Sequence, residues 1–326
     1  MERLDAFMAH ANALYYATHD PFADFTTSPE ISQAFGEVLG IWAAVTWESM
    51  GRPDPVLLVE CGPGRGTLMA DALRATGGVA APFRAALRVH LVETSPRLRA
   101  QQAARVPDAA WHDALANLPP GPLILLANEF LDALPIRQFV RRGAGWAERF
   151  VDGGAFVEQL AAPPDLDAAR AEEGAVVELC EPARATAGHV ARRVVRDGGA
   201  ALFLDYGPAE SAPGDSLQAL QDGRPASPLG EPGTADLTAH VDFAALARVA
   251  QSAGAAVHGP VPQGVFLTRL GLFQRTGRLA QTQPPGRAAA LVQAAQRLAE
   301  PDRLGRRFKA MAVCHPALPC PAGFEP

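Results

Sequence analysis

Val56-Leu57-Leu58-Val59-Glu60-Cys61-Gly62-Pro63-Gly64-Arg65-Gly66-Thr67 joins an apolar run to an acid, a glycine-spaced turn and the start of a helical pattern. A run that is apolar on both faces has no solvent side, so residues 56–60 read as a buried strand. Glycines then allow a turn at positive φ and a close approach of the backbone to a ligand. A helix over about 66–75 follows. Outward from this unit the pattern repeats, with strands at Arg88–Glu93, Pro122–Asn128 and Ala200–Tyr206 and a helix opening at Ser95-Pro96. Apolar strands separated by helices predict an α/β, Rossmann-like fold: a mostly parallel sheet with helices on both faces.

Two stretches interrupt the alternation. Residues 136–180 carry alternating segments and read as an antiparallel β-insertion, giving an inserted β-rich substrate region over 136–197 between core segments 51–135 and 198–326. Residues 207–237 are rich in Gly, Pro, Ser and Asp and read as a long loop of the lid or binding type. Residues 1–50 form an N-terminal helical segment expected to lie over the ligand site. Within it Ser28, Pro29 and Glu30 make a helix start, and Ile31, Phe35, Val38, Leu39 and Trp42 recur at helical spacing through 29–49. Further helices are predicted at about 241–253 and 287–299.

The chain has 326 residues, 48% hydrophobic and 20% charged, which excludes a disordered protein. The net charge is −6 and no basic stripe occurs, which disfavours nucleic-acid binding. No apolar run approaches the roughly 18 residues of a membrane helix. The start is acidic within Met1–Asp5 and lacks an apolar stretch, so neither a secretory nor a transit leader is expected. Cys61, Cys180, Cys314 and Cys320 form no CxxC, so no metal is expected and a reducing, cytoplasmic location is. The single lysine, Lys309, suggests a GC-rich bacterial genome and nothing about function.

The turn after the first strand has the spacing G-x-G-x-G, with Thr67 where a dinucleotide-binding turn would place its third small residue. An acid two residues ahead of Gly62 and this spacing fit the first motif of S-adenosylmethionine methyltransferases better than a dinucleotide site. Glu60, Gly62, Pro63, Gly64 and Gly66 are therefore candidate cofactor residues. In open α/β sheets the ligand lies outside the carboxyl ends of the strands. Glu93 is placed there to accept the ribose hydroxyls and Asp113 to meet the adenine amino group, although either alone reads as a solvated strand-end charge. Asn128-Glu129 follow the next apolar strand and face the transferred methyl group, the alternative being a helix cap at Asn128. Thr27, Ser28 and Glu30 offer a helix N-terminus to the methionine carboxylate, or merely cap the helix. Arg65 can pair with that carboxylate or with Glu60.

Thr26 to Gln33, Glu60 to Gly66, Val92 to Pro96, Asn128 to Pro135, Asp205-Tyr206-Gly207 and Asp236 to Phe243 occur in this order. Together they resemble the MidA-like class I methyltransferases, the family that includes the mitochondrial protein-arginine methyltransferase of respiratory complex I assembly. The resemblance spans about residues 14–312, and NEFLDALP and DLTAHVDF are its most specific motifs. Asp20–Phe25 and Asp222–Leu229 depart from the family pattern, both where an acceptor would be met. The resemblance implies the class I methyltransferase fold, S-adenosyl-L-methionine as cofactor, and methyl transfer to an arginine of a partner protein of the complex I subunit type.

A guanidinium stays protonated near neutrality and calls for a planar carboxylate grip. Glu129, beside Asn128, is the first candidate for that grip and Asp205 or Asp242 the second. His240 is a candidate proton acceptor or loop anchor. A small-molecule methyltransferase and a non-catalytic assembly factor are the competing functions, and a homodimer is one assembly left open.

Overall fold

The computed structural model describes residues 1–19, 26–162 and 171–325. The family-divergent segment Asp20–Phe25 lies outside the described residues. In chain order, β1 (Glu2–Arg3) and α1 (Leu4–Thr18) precede α2 (Ser28–Ile31) and α3 (Gln33–Ser49). β2 (Val56–Cys61), α4 (Thr67–Val79), β3 (Leu87–Val92), α5 (Pro96–Arg105), β4 (Ala110–His112) and β5 (Leu123–Asn128) follow. The insertion holds β6 (Arg137–Arg142), β7 (Gly145–Asp152), β8 (Ala155–Ala161) and β9 (Val176–Leu179). α6 (Glu181–Asp197) and β10 (Gly199–Tyr206) return to the core. β11 (Gln218–Gln221), β12 (Arg224–Ala226), β13 (Asp236–Thr238) and α7 (Phe243–Ser252) come next. The chain closes with β14 (Ala256–Pro262), α8 (Gln263–Arg269), α9 (Leu272–Ala280), α10 (Pro285–Ala299) and β15 (Phe308–Cys314).

The main sheet has seven strands in the order β14-β15-β10-β5-β2-β3-β4. β4, β3, β2, β5 and β10 are mutually parallel, and β15 runs antiparallel to both of its neighbours. Side chains alternate across such strands, and the core divides accordingly. Leu58, Ile124, Leu126, Leu202 and Leu204 face one layer of helices, which includes α3, α8 and α10. Leu57, Val59, Leu125, Ala201 and Phe203 face the other, built from α6 and α7. The predicted α/β architecture is the observed one.

Four differences have physical causes. The predicted 29–49 helix is broken at Ser32, which is extended (φ −152°) and caps α3 by accepting from the Ala34 N–H. α3 then packs on the sheet as a core helix. α1 instead sends Leu4, Phe7 and Met8 against Ile136, Val151 and Leu237 of the insertion and β13. The segment 1–50 is therefore two bodies: the end of α1 reaches Ser95 beyond β3, and α2 reaches Glu129 and Thr67 through Ser28 and Glu30.

The insertion ends at Leu179, short of the expected 197, because Ala187, Val190 and Val194 of α6 are buried in the core. The 207–237 stretch, expected as a loop, carries a three-stranded sheet in the order β12-β11-β13. β14 and β15 escaped the sequence reading. β14 is an edge strand interrupted by Gly259-Pro260, a composition that masks a strand pattern.

Candidate active site

Chain crossovers leave β2 in opposite directions toward β3 and β5, so the crevice outside their carboxyl ends is the topological switch point where α/β sheets take ligands. The glycine turn fills its floor, with Gly62, Gly64 and Gly66 at φ +60°, +53° and +80°. The Gly66 N–H closes the turn on the Pro63 carbonyl at 2.7 Å. A Cβ on Gly62 would come 2.9 Å from the Phe130 ring, so that glycine makes room for the protein's own aromatic.

Glu60, at the end of β2, is buried, and its Oε2 has no hydrogen-bond partner. Burial pushes this carboxyl up to about 8, opposed only by the Met69 N–H. Asn128 ends the adjacent strand β5 and is buried, and its Oδ1 also lacks a partner. Two buried acceptors at neighbouring strand ends call for a donor. The ammonium and adenosyl groups of an S-adenosyl sulfonium fit that demand and the open turn. Arg65 does not supply the missing partner to Glu60.

Glu93 follows β3 and accepts from the Ser95 N–H at 2.8 Å and from Gln102 Nε2 at 3.3 Å, while burial pushes it up. Gln102, fully buried on α5, also donates to the Gly64 carbonyl at 2.8 Å and accepts from Trp111 Nε1. It ties the ribose candidate to the glycine turn, a role no local sequence pattern marks. Asp113 follows β4, with its side chain 81% exposed and paired with Arg99 at 2.6 Å.

Ser28 departs from expectation. Its N–H donates to Glu129 Oε1 at 2.8 Å, so the short helix start already serves an internal carboxylate. Thr27, and not Ser28, occupies the cap position, without a side-chain bond.

Glu129 stands just beyond β5 with φ +49°, a left-handed conformation uncommon for a side chain of this kind. Its N–H is held by the Leu204 carbonyl at 2.9 Å and its Oε1 also accepts from Asn128 Nδ2 at 3.0 Å. Burial pushes its carboxyl up. Such strain persists where the surroundings over-determine it, and it clusters at working sites.

Asp205, expected as a second gripping carboxylate, is turned to another task. Its Oδ2 accepts the N–H groups of Phe130, Leu131 and Asp132 at 2.9–3.3 Å, and its Oδ1 that of Tyr206 at 2.9 Å. With 1% exposure it fastens the 128–135 loop to β10 and has no oxygen to offer an acceptor. Asp242 caps α7 through the Ala245 N–H at 2.9 Å and holds the Ser211 hydroxyl. His240 is exposed, its ring edge-on to Tyr206 at 5.5 Å.

The carboxylates that do converge include two the sequence reading left unassigned. Asp132 bonds the Tyr206 hydroxyl and is pushed well up by burial and by the charges of Asp205, Asp236 and Glu129. Asp236 accepts from the Tyr16 hydroxyl at 2.8 Å. Glu129, Asp132, Asp236, Tyr16 and Tyr206 all line one cavity of ≈1890 Å³. Asn12 bolts this wall together, donating to the carbonyls of Ala133 and Leu237 at 3.0 and 2.8 Å and accepting from the Leu237 N–H. These groups come from α1, the loop after β5, β10 and β13, so no contiguous motif announces them.

Comparison with known proteins places this geometry. A family model described as an S-adenosyl-L-methionine-dependent methyltransferase matches residues 38–261. The protein arginine methyltransferase NDUFAF7 homolog, mitochondrial, of Drosophila melanogaster is 35% identical, covering 96% of this chain and 80% of its own. The human mitochondrial NDUFAF7 is 34% identical, covering 92% and 76%. A crystal structure of a Burkholderia thailandensis protein bound to S-adenosyl-homocysteine is 26% identical, with TM-score 0.77 over 99% of this chain and 88% of that one. The expectation of a cytoplasmic location is overturned by these curated relatives, which are mitochondrial proteins. Free thiols report a reducing environment and do not single out a compartment. Among the described residues, no helix is long and apolar enough to cross a membrane.

Proposed function

The chain belongs to this family of S-adenosyl-L-methionine-dependent methyltransferases, and from that premise we propose that its acceptor is an arginine side chain of a partner protein. The carrying observation is the wall of Glu129, Asp132 and Asp236 with two tyrosines, lining a cavity whose Glu129 stands one residue from the cofactor crevice. Three acids with two hydroxyls suit a planar cation with five N–H donors. The relatives named as protein arginine methyltransferases support the same acceptor, and a subunit of respiratory complex I is the partner type the family resemblance implies.

The cofactor, when bound, supplies a methyl group on a sulfonium whose leaving group is a neutral thioether. Glu60 and Asn128 would hold its amino group, Glu93 the ribose, Asp113 the adenine edge, and the Gly62–Gly66 turn the adenosyl sulfonium. The chain's work is then alignment and proton removal. Glu129, with Oε1 already fixed by Ser28 and Asn128, orients one guanidinium nitrogen toward the methyl group. As the N–C bond forms and the C–S bond breaks, that nitrogen gives up its proton. Glu129 and Asp132, both pushed up by burial, hold the carboxylates best suited to receive it. Asp205 keeps the loop in register, and His240 and Asp242 shape the rim.

Labelled-methyl transfer to proteins of a strain or cell lacking the gene, followed by mass spectrometry, tests the reading. A labelled arginine supports it. A labelled small molecule, or no label at all, refutes it.

A further inference from the structure

We propose that the cavity receives an extended protein segment in which the target arginine is flanked by acidic residues. The proposal rests on the arginine-acceptor reading, and its own content is the charge of the flanks. Arg184 and Arg192 of α6, Arg248 of α7, and Arg307 and Lys309 around the start of β15 line the same cavity as the carboxylate wall. The two signs are segregated by burial. Asp132 and Asp236 are buried and hydrogen-bonded. Glu178 is held by Gln138 and Ser216, and Asp242 by the Ala245 N–H and Ser211.

Lys309 donates to the Arg306 and Arg307 carbonyls at 2.6 and 3.1 Å, but the arginines are not committed in this way. Arg192, Arg248 and Arg307 are exposed, and Arg184 is half-buried. Arg184, Arg192 and Arg307 have no ion-pair partner among the described residues, and Arg248 donates only to the Ser211 hydroxyl at 3.1 Å. In a chain of net charge −6, four arginines gathered on one rim with no acid of their own make a site that anions would complete.

The register sets the spacing. Tyr206, whose hydroxyl touches the carboxylate wall, pairs across the sheet with Phe308, so Arg307 and Lys309 sit at the neighbouring positions. α6 and α7 pack side by side, which groups Arg184, Arg192 and Arg248. An extended segment rising about 3.4 Å per residue, with its arginine on the acidic wall, therefore brings its next few side chains past these cations. Carboxylates there complete the pairs, and lysines there are repelled.

The test uses the full chain and peptides of equal length with one central arginine, flanked by glutamate, glutamine or lysine. Anisotropy with the protein saturated in S-adenosyl-homocysteine measures binding, and methyl transfer from S-adenosylmethionine gives KM and kcat. The glutamate-flanked peptide should bind about tenfold more tightly than the glutamine one, as three modest surface pairs allow. The advantage should fade with added salt, and the combined Arg184→Gln, Arg192→Gln, Arg307→Gln variant should erase it through KM with kcat kept. Equal binding of all three peptides, no binding of any, or tighter binding of an RNA of similar length that competes for the site overturns the proposal. Methylation of all peptides alike sinks the charge selection and leaves arginine transfer standing. Charge-selective binding without arginine methylation sinks arginine transfer and leaves the acidic partner standing.

Discussion

Replacing Glu60 by glutamine should raise stability at alkaline pH and remove a pH dependence that the wild-type protein carries. Burial lifts this carboxyl from 4.5 to about 8. The folded value lies above the unfolded one, so the favourable contribution is complete below pH 4.5 and is lost as pH rises toward 8. A rise of that size corresponds to about 5 kcal/mol between the two limits, at about 1.4 kcal/mol for each pH unit. Exposure of only 3% leaves little solvent screening to reduce it. Glutamine keeps an oxygen for the Met69 N–H and cannot ionise. Urea unfolding from pH 5 to pH 9 should therefore show the wild type losing several kcal/mol more than the variant.

The same group makes cofactor binding a proton-linked event. If the amino group of S-adenosyl-homocysteine meets Glu60 Oε2, binding at pH 7 converts a carboxyl that is about nine-tenths protonated into a carboxylate and releases close to one proton. Calorimetry in two buffers of different ionisation enthalpy counts it. Parallel stability profiles for the two proteins, or no proton release on binding, would refute the assignment of Glu60 as the orphan acceptor of the crevice.

Gly64→Val should lose S-adenosyl-homocysteine binding in calorimetry, because φ +53° is hostile to a β-branched residue and the turn must open at that point. Glu129→Gln should keep cofactor binding and lower methyl transfer to an arginine acceptor by about a hundredfold or more, measured as kcat; an unchanged rate removes it from the chemistry. Gly40→Leu should destabilise the protein in urea by about 3 kcal/mol or more, since a Cβ there would stand 2.6 Å from the Ala72 backbone where α3 crosses α4. Glu37, buried yet held below the usual carboxylate range by Arg275 and Arg74, contributes stability above its unfolded value that fades as pH falls through the folded one. Glu37→Gln should flatten that acid limb. Its cost should fall below the roughly 3–5 kcal/mol of a broken buried pair, because both arginines are partly exposed.

The parallel sheet was legible because its strands are buried on both faces, which leaves continuous apolar runs such as Leu123–Ala127 that few other structures require. The cofactor crevice was legible for a related reason. Sheet topology forces the turn after β2 and the residues after β5 to one rim, so position along the chain stood in for position in space. The acceptor wall had no such shortcut. Asp132 lies inside NEFLDALP, yet nothing in that motif distinguishes its role from that of Glu129. Asp236 and Tyr16 come together because Asn12 and the apolar face of α1 draw that helix onto β13. Edge strand β14, with Gly259-Pro260 at its bulge, looked like a loop for want of the alternation an inner strand would show.

Asp205 carries the most instructive reversal. As a strand-end acid beside the crevice it satisfied every positional criterion for a gripping carboxylate, just as Glu129 did. What separates the two is the backbone around them. The chain after β5 turns so that three successive N–H groups point back at Asp205, and an acceptor surrounded by donors is spent. Glu129 pays for the same turn with a left-handed φ, and its carboxylate meets one backbone N–H and one amide instead of four backbone groups. The two residues thus form one device, in which Asp205 fixes the loop and the loop presents Glu129 to the cavity. Asp205→Asn should therefore impair transfer indirectly, by loosening Glu129. Raised amide exchange at Phe130–Asp132 should accompany the lost activity, and a variant inactive with those amides still protected would show that Asp205 acts on the substrate after all.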